Sequence, residues 1–105
     1  MASTKEYRDF ILEQLSELDE VSFRAMMGEY ILYYRGRVFG GIYDDRLLVK
    51  PVPPAVKLMP DAAMELPYDG AKEMILVDDV DNREFLCELG RSMWEDLPEK
   101  KRKKR

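Results

Sequence analysis

Two dipeptides, Arg35-Gly36 and Asp44-Asp45, divide residues 30–50 into three short runs rich in aromatic and β-branched side chains. Each dipeptide suits a two-residue hairpin turn: glycine takes a positive φ freely, and aspartate tolerates the left-handed region. Strands joined by so few residues must be neighbours and antiparallel. Residues 30–34, 37–43 and 46–50 are therefore expected to form a meander. Residues 21–27 look extended ahead of it, with Gly28 reading as a bulge or bend. Pro51, Pro53 and Pro54 end the sheet, because proline cannot donate to a ladder.

Helical spacing brackets this β region. Tyr7, Phe10, Ile11, Gln14, Leu15 and Leu18 follow three- and four-residue steps, so residues 3–18 read as a helix capped by Ser3-x-x-Glu6. Pro54 can open a short helix over residues 55–59, stopped by Pro60. A strand is expected over residues 72–77, with a further short one near residues 66–68 and a turn at Asp69-Gly70. Asp81-x-x-Glu84 should cap a last helix to about Asp96, with Phe85, Leu86, Leu89 and Met93 on one face and Pro98 as its stop. The element order α-β-β-β-α-β-β-α describes an α+β domain, helices packed on one sheet.

At 105 residues the chain is long enough for one domain, assigned to residues 1–99. No apolar run approaches the roughly 20 residues of a membrane span, and residues 1–6 lack the apolar core of a signal peptide. No membrane association is expected. The single Cys87 leaves no internal disulfide and suits a reducing cytoplasm. The absence of histidine removes Ser-His-Asp triads, Cys-His dyads and His-ligated zinc together.

Charge is unevenly placed. Six of the 17 basic residues, Lys100, Lys101, Arg102, Lys103, Lys104 and Arg105, close the chain; residues 1–99 keep 11 against 21 acidic ones, a net charge of −10. Such a body repels phosphate. The basic run of residues 100–105 is expected to be disordered, and any weak, nonspecific nucleic-acid binding should come from it.

Few residues suggest chemistry. Asp44-Asp45 and Asp78-Asp79 are paired carboxylates, but adjacent residues on a strand point to opposite faces, and Mg²⁺ or Ca²⁺ needs more oxygens than one pair supplies. Turn formation explains the first pair, and the approach to a helix cap explains the second. Cys87 lies beside the apolar stripe of its helix, between Glu84 and Glu88, which suits a buried structural thiol better than a nucleophile. Trp94 reads as packing at the edge of the core. Met26, Met27, Met59, Met64 and Met74 fall in apolar stretches and read as core filling. Gly40-Gly41 lacks the third glycine of a phosphate loop, and marks a bulge or a close backbone approach. No catalytic residue, metal site or cofactor site follows.

Three blocks in order carry a family resemblance. Residues 24–39, beginning Arg24-Ala25-Met26-Met27-Gly28, resemble the start of the TfoX/Sxy N-terminal domain; Asp44-Asp45-Arg46-Leu47-Leu48-Val49-Lys50 resembles its next block, and Pro67-Tyr68-Asp69-Gly70 a third. The resemblance spans roughly residues 5–97. It implies a two-layer α/β fold with an antiparallel sheet, similar to type III secretion chaperones, in a bacterial cytoplasmic protein of a family named for regulating competence genes. It implies no catalytic residue. Full-length regulators of the family have a second, helical domain suited to nucleic acid; none is expected within these 105 residues. The expected function is thus a non-catalytic regulatory module acting by protein interaction. A nucleic-acid accessory protein using the basic tail is the alternative, and an enzyme with carboxylate chemistry a third.

Extending the two turns without interruption assigns the sheet faces. Ile31, Tyr33, Val38, Gly40, Ile42, Leu47 and Val49 share one face, which carries no charge and should meet the helices. Tyr30, Leu32, Tyr34, Arg37, Phe39, Gly41, Tyr43, Arg46, Leu48 and Lys50 share the other. Rich in tyrosine and arginine, that face is expected to bind a protein partner, with a homodimer first.

The tail reading has a direct test. Truncation after Glu99 should leave the melting temperature nearly unchanged while abolishing retention on DNA; with full-length chain the salt slope should not exceed about −5, at about 0.9 per phosphate contact. A loss of several degrees would mean that the tail docks on the acidic body.

Overall fold

The fold is a computed structural model that describes residues 3–68 and 70–97. The basic run 100–105, Pro98 and Asp69 lie outside the described residues. Among those described, helix α1 (Lys5–Gln14) precedes strands β1 (Val21–Met26), β2 (Glu29–Tyr34), β3 (Arg37–Ile42) and β4 (Leu47–Val49). Helix α2 (Pro53–Leu58), strands β5 (Met64–Glu65) and β6 (Met74–Leu76), and helix α3 (Arg83–Met93) follow, with a 3₁₀ turn over Trp94–Asp96. The sheet is six-stranded and antiparallel, in the order β1-β2-β3-β4-β6-β5. This is the expected α+β class, with one strand more than the expected order before the second helix.

Three hairpins use the same turn geometry. Met27 and Gly28 have φ of 53° and 87°, Arg35 and Gly36 51° and 84°, and Asp44 and Asp45 55° and 57°. Positive φ at both central residues is the type I′ turn, whose twist matches that of the flanking strands. Gly28 is therefore the second residue of a hairpin turn, not a bulge.

Both helix caps lie one residue later than the sequence pattern suggested. Thr4 caps α1, its Oγ1 accepting from the Tyr7 amide, and Asn82 caps α3, its Oδ1 accepting from the Phe85 amide. Ser3 is buried instead: its hydroxyl donates to Glu29 Oε1 at 2.7 Å and accepts from the Asp45 amide at 3.0 Å. Asp45 Oδ1 accepts from the Thr4 amide at 2.8 Å. Two carboxylates from two hairpins thus hold the start of α1, where exposed amides favour negative charge.

The three helices lie on one side of the sheet. Ile11 and Leu15 of α1, Ala55 of α2, and Leu86, Leu89 and Met93 of α3 pack with Tyr30, Leu32, Tyr34, Phe39, Ile42, Leu47, Val49 and Ile75. Leu18, beyond the shortened α1, reaches Gly90 of α3, where a Cβ would collide with its Cδ1. Cys87 is buried, its thiol 3.7 Å from the Gln14 carbonyl, as a structural cysteine should be.

The expected faces are corrected here. From the turn, Tyr34 pairs with Arg37 and Tyr33 with Val38 as anticipated, but Leu32 then pairs with Gly40 and Tyr30 with Ile42. The shift between Leu32 and Tyr33 is a β-bulge that leaves Phe39 unpaired. Tyr30, Leu32, Tyr34 and Phe39, expected on the interaction face, are in the helix-covered core, whereas Ile31, Tyr33 and Val38 lie on the opposite side. Ile42, Leu47 and Val49 are in the core as expected. Gly40 is the residue of close approach: a Cβ there would run into the Leu48 carbonyl oxygen and Val49 Cα.

Phe39 is 1% exposed. Phe39→Ala is expected to cost about 3–5 kcal/mol in urea unfolding. Val38→Ala, one residue away on the half-exposed side, should cost well under half of that. Equal losses would contradict the bulge.

Candidate functional site

The side of the sheet away from the helices is the candidate surface. Pairing places Arg24, Ile31, Gly41 and Leu48 in one row across β1 to β4, and Ser22, Tyr33 and Val38 in the next. Ile31, Tyr33 and Val38 are half-buried and Arg24 is exposed. Toward β4 the surface rises into a wall. Leu48 and Tyr43 are buried outside the helix-side cluster, and the Tyr43 and Tyr68 rings lie 6.3 Å apart. Between wall and floor is a cleft of ≈ 550 Å³, lined by Ile31, Val38, Tyr43, Lys50, Tyr68 and Met74 among others.

The wall is fixed by polar contacts. Arg46 pairs with Glu65 at 2.9 Å, and its Nε donates to the Tyr43 carbonyl at 3.1 Å, joining the β4 entry to β5. Burial raises the Tyr43 phenol above its ordinary pKa, with Tyr68, Glu29 and Tyr33 adding to the shift. Tyr7 is raised by burial, then by Asp45 and Asp81.

The anticipated interaction residues are dispersed. Tyr30, Leu32, Tyr34 and Phe39 are in the core. Arg37 lies on the helix side, its guanidinium 4.0 Å from the Trp94 ring centre and donating to the Trp94 carbonyl at 2.8 Å. Tyr43 and Leu48 are buried in the wall, Arg46 is held by Glu65, and Lys50 stands at the cleft. Trp94 packs at the core edge as expected, with Arg35 5.5 Å from its ring. Lys100 to Arg105 are outside the described residues.

Several methionines expected to fill the core are exposed instead, and Phe23 is exposed with them. Met27 is 95% exposed at the β1–β2 turn, and Met26, Met64 and Phe23 are about two-fifths exposed. Of the five methionines read as core filling, Met59 alone packs against the core cluster. One signal was available for Met26 and Met27: once Gly28 is read as the second residue of a hairpin turn, Met27 is its first and Met26 the strand residue before it.

Among the described residues no three His, Cys, Asp or Glu side chains converge to hold a metal ion. Asp44 and Asp45 form their turn, and Asp79 accepts from the Asn82 side chain at 3.3 Å ahead of the α3 cap. No helix is long and apolar enough to cross a membrane among the described residues.

Comparison with known proteins adds a family and a relative. The family model described as the TfoX N-terminal domain matches residues 13–99. An uncharacterized 12.7 kDa protein encoded in the trpE 5′ region of Spirochaeta aurantia is 34% identical over 80 residues, covering 76% of this chain and 70% of its own length. No solved structure matches.

The raised tyrosines set a pH expectation. Where the folded phenols hold protons that the unfolded chain has released, unfolding becomes easier as pH rises. Their contribution is complete below the unfolded value of about 10 and is lost above it. Phenolate absorbance should show a class of tyrosines titrating above pH 10, with thermal stability declining over the same range. Six tyrosines titrating together at the free value would refute the burial of Tyr7 and Tyr43.

Proposed function

Because this chain belongs to the TfoX N-terminal domain family, we propose that it is a small non-catalytic protein-interaction module in a bacterial regulatory setting, working in the cytoplasm. The observation that carries this reading is the uncovered sheet side. Ile31, Tyr33 and Val38 form an apolar floor and Tyr43 and Tyr68 a wall; Lys50, Lys72 and Glu73 are the charges that line the cleft, and Arg24 is exposed in the row of Ile31. A rigid apolar floor with aromatic and cationic neighbours has the composition of a binding hot spot. The cleft falls within the volume range of pockets that accept an inserted side chain or small ligand. The net charge of residues 1–99 disfavours phosphate, so a protein partner suits this side better than a nucleic acid. Regulation of competence or transcription is the setting that the family name supplies.

Val38→Glu tests the reading. The substitution puts a charge at the floor of the cleft and should leave the melting temperature within a few degrees. Proteins that co-purify with wild type from the source cells, and that crosslink to Tyr68-side peptides, should be lost from the variant. Retention of the same partners by a folded Val38→Glu variant would show that this side is not the interface.

A further inference from the structure

The free edge of the sheet at β1 carries a second, separate surface. No strand lies beyond β1 among the described residues, and five of its six residues are exposed. Its outward hydrogen-bonding groups can be identified. Arg35 donates to the Glu20 carbonyl at 3.0 Å, and these two residues stand opposite each other when the β1–β2 register is extended. Hydrogen-bonded and non-hydrogen-bonded pairs alternate along an antiparallel ladder. Ser22, Arg24 and Met26 therefore bond to β2, while Val21, Phe23 and Ala25 direct their amide and carbonyl groups away from the sheet.

Natural sheets blunt such an edge with proline, lysine, a bulge or a very short strand. The opposite edge conforms, since β5 has two residues. The β1 edge is less protected: Val21–Met26 contains no proline or lysine, its pairing with β2 runs without a register shift, and Arg24 is its one charged residue. Phe23 is 40% exposed, although Arg8 lies 4.9 Å from its ring centre on the helix side and the Tyr30 ring packs edge-on at 5.7 Å. Beside it runs a cleft of ≈ 540 Å³ between α1 and β1, lined by Leu12, Leu15, Val21 and Phe23 among others.

We propose that β1 pairs antiparallel with β1 of a second copy about a two-fold axis at Phe23. This rests in part on the interaction-module reading and names a partner for a different surface. The register follows from the open groups. With Phe23 opposite Phe23, Val21 stands opposite Ala25 and Ala25 opposite Val21, so every outward amide and carbonyl of those residues meets a complement. A shift by one residue would set outward groups against inward ones and form no ladder. A shift by two leaves an outward residue of each strand beyond the pairing.

Charge agrees with this register. Arg24 then faces Ser22 of the second copy, and its diagonal neighbours are Glu20 and Arg24 of that copy, within reach of long side chains. Each Arg24 thus gains one acidic neighbour, a pair that occurs twice in the dimer by symmetry, against a single Arg24–Arg24 approach. Phe23 meets Phe23 on the helix side, beside the α1–β1 cleft. The contact is one strand and its flanking groove, smaller than the roughly 800 Å² per partner of a standard interface. The dimer is therefore expected to be reversible and to form with concentration. It also closes: pairing consumes both β1 edges and leaves the two short β5 edges, so assembly stops at two.

Sedimentation of the full chain from micromolar to near-millimolar concentration tests this, together with amide exchange. Dimers should form on concentration, and the amides of Val21, Phe23 and Ala25 should gain protection as they do. Ala25→Pro removes an outward N–H and no bond to β2; it should weaken the dimer at least about tenfold while preserving the fold. Val38→Glu should leave the dimer intact, which separates this proposal from the sheet-side reading. A strictly monomeric wild type, growth beyond a dimer, or a dimer whose Val21, Phe23 and Ala25 amides stay unprotected would each overturn it. Should Ala25→Pro unfold, the wild-type exchange pattern decides alone.

Discussion

The extra residue at Phe39 decides which side of this sheet becomes the interior. Ahead of it, the rows of β2 and β3 run Tyr34 with Arg37 and Tyr33 with Val38; beyond it, Leu32 meets Gly40 and Tyr30 meets Ile42. Without the bulge, Tyr30, Leu32 and Tyr34 would continue into Gly41, Leu48 and Lys50. With it, they continue into Ile42, Leu47 and Val49, so the bulky residues of both halves of the meander fall on one side. Phe39 and Gly40 then both stand over the core. Two consecutive residues on one side leave no room for a second side chain, and β4 backbone occupies the space where a Gly40 Cβ would be. The core, the helix side and the uncovered side all follow from that one insertion.

Turn geometry supplies the other constraint. The three type I′ hairpins place Gly28, Gly36 and the Asp44-Asp45 pair at sheet ends, and two of those ends meet at α1. The Gly28 carbonyl accepts from the Ser3 amide at 3.0 Å, while Glu29 and Asp45 take the Ser3 hydroxyl and the Thr4 amide. An apolar helix face fixes only that α1 lies on the sheet. These polar contacts fix where along the sheet it begins, because each buried or capping donor needs one acceptor in one place. The same contacts explain why the Ser3-x-x-Glu6 pattern misled. Ser3 satisfies groups from Gly28 to Asp45, far along the sequence, and Thr4 is left to cap the helix.

Local signals were legible, and tertiary ones were not. The meander, both two-residue turns, the proline stop, the last helix and the buried Cys87 could all be read from neighbouring residues. So could Gly40-Gly41 as a bulge or close approach, since both turned out to apply. The face assignment failed because residues 30–34 are apolar or aromatic at every position, so a period of two does not distinguish the sides. Charge was used to decide instead, and Arg37 defeated that criterion. Its guanidinium lies on Trp94 and reaches the Trp94 carbonyl, so its stem covers core-edge surface while the charge is satisfied. An arginine beside a distant tryptophan leaves no mark in either local sequence. The candidate site suffered accordingly: Lys50, Tyr43 and Leu48 were placed on the right side, while the floor of Ile31, Tyr33 and Val38 was assigned to the interior.

The two candidate surfaces are mechanically independent yet geometrically joined. Pairing at β1 uses main-chain groups in the plane of the sheet, whereas a ligand on Ile31 and Val38 approaches along its normal. Adding a strand therefore does not cover the floor. Two copies joined at β1 would share one continuous sheet, and antiparallel pairing about a two-fold axis normal to it keeps both floors on the same side. A partner with two matching segments could then engage both, and its second contact would form at the high effective concentration set by the first. Weak contacts at a single cleft would suffice for a stable complex under that arrangement. Twist limits it, since adjacent strands rotate by about 20–25° and the two floors turn away from each other as the sheet extends. The arrangement thus favours a flexible or curved partner over a flat one.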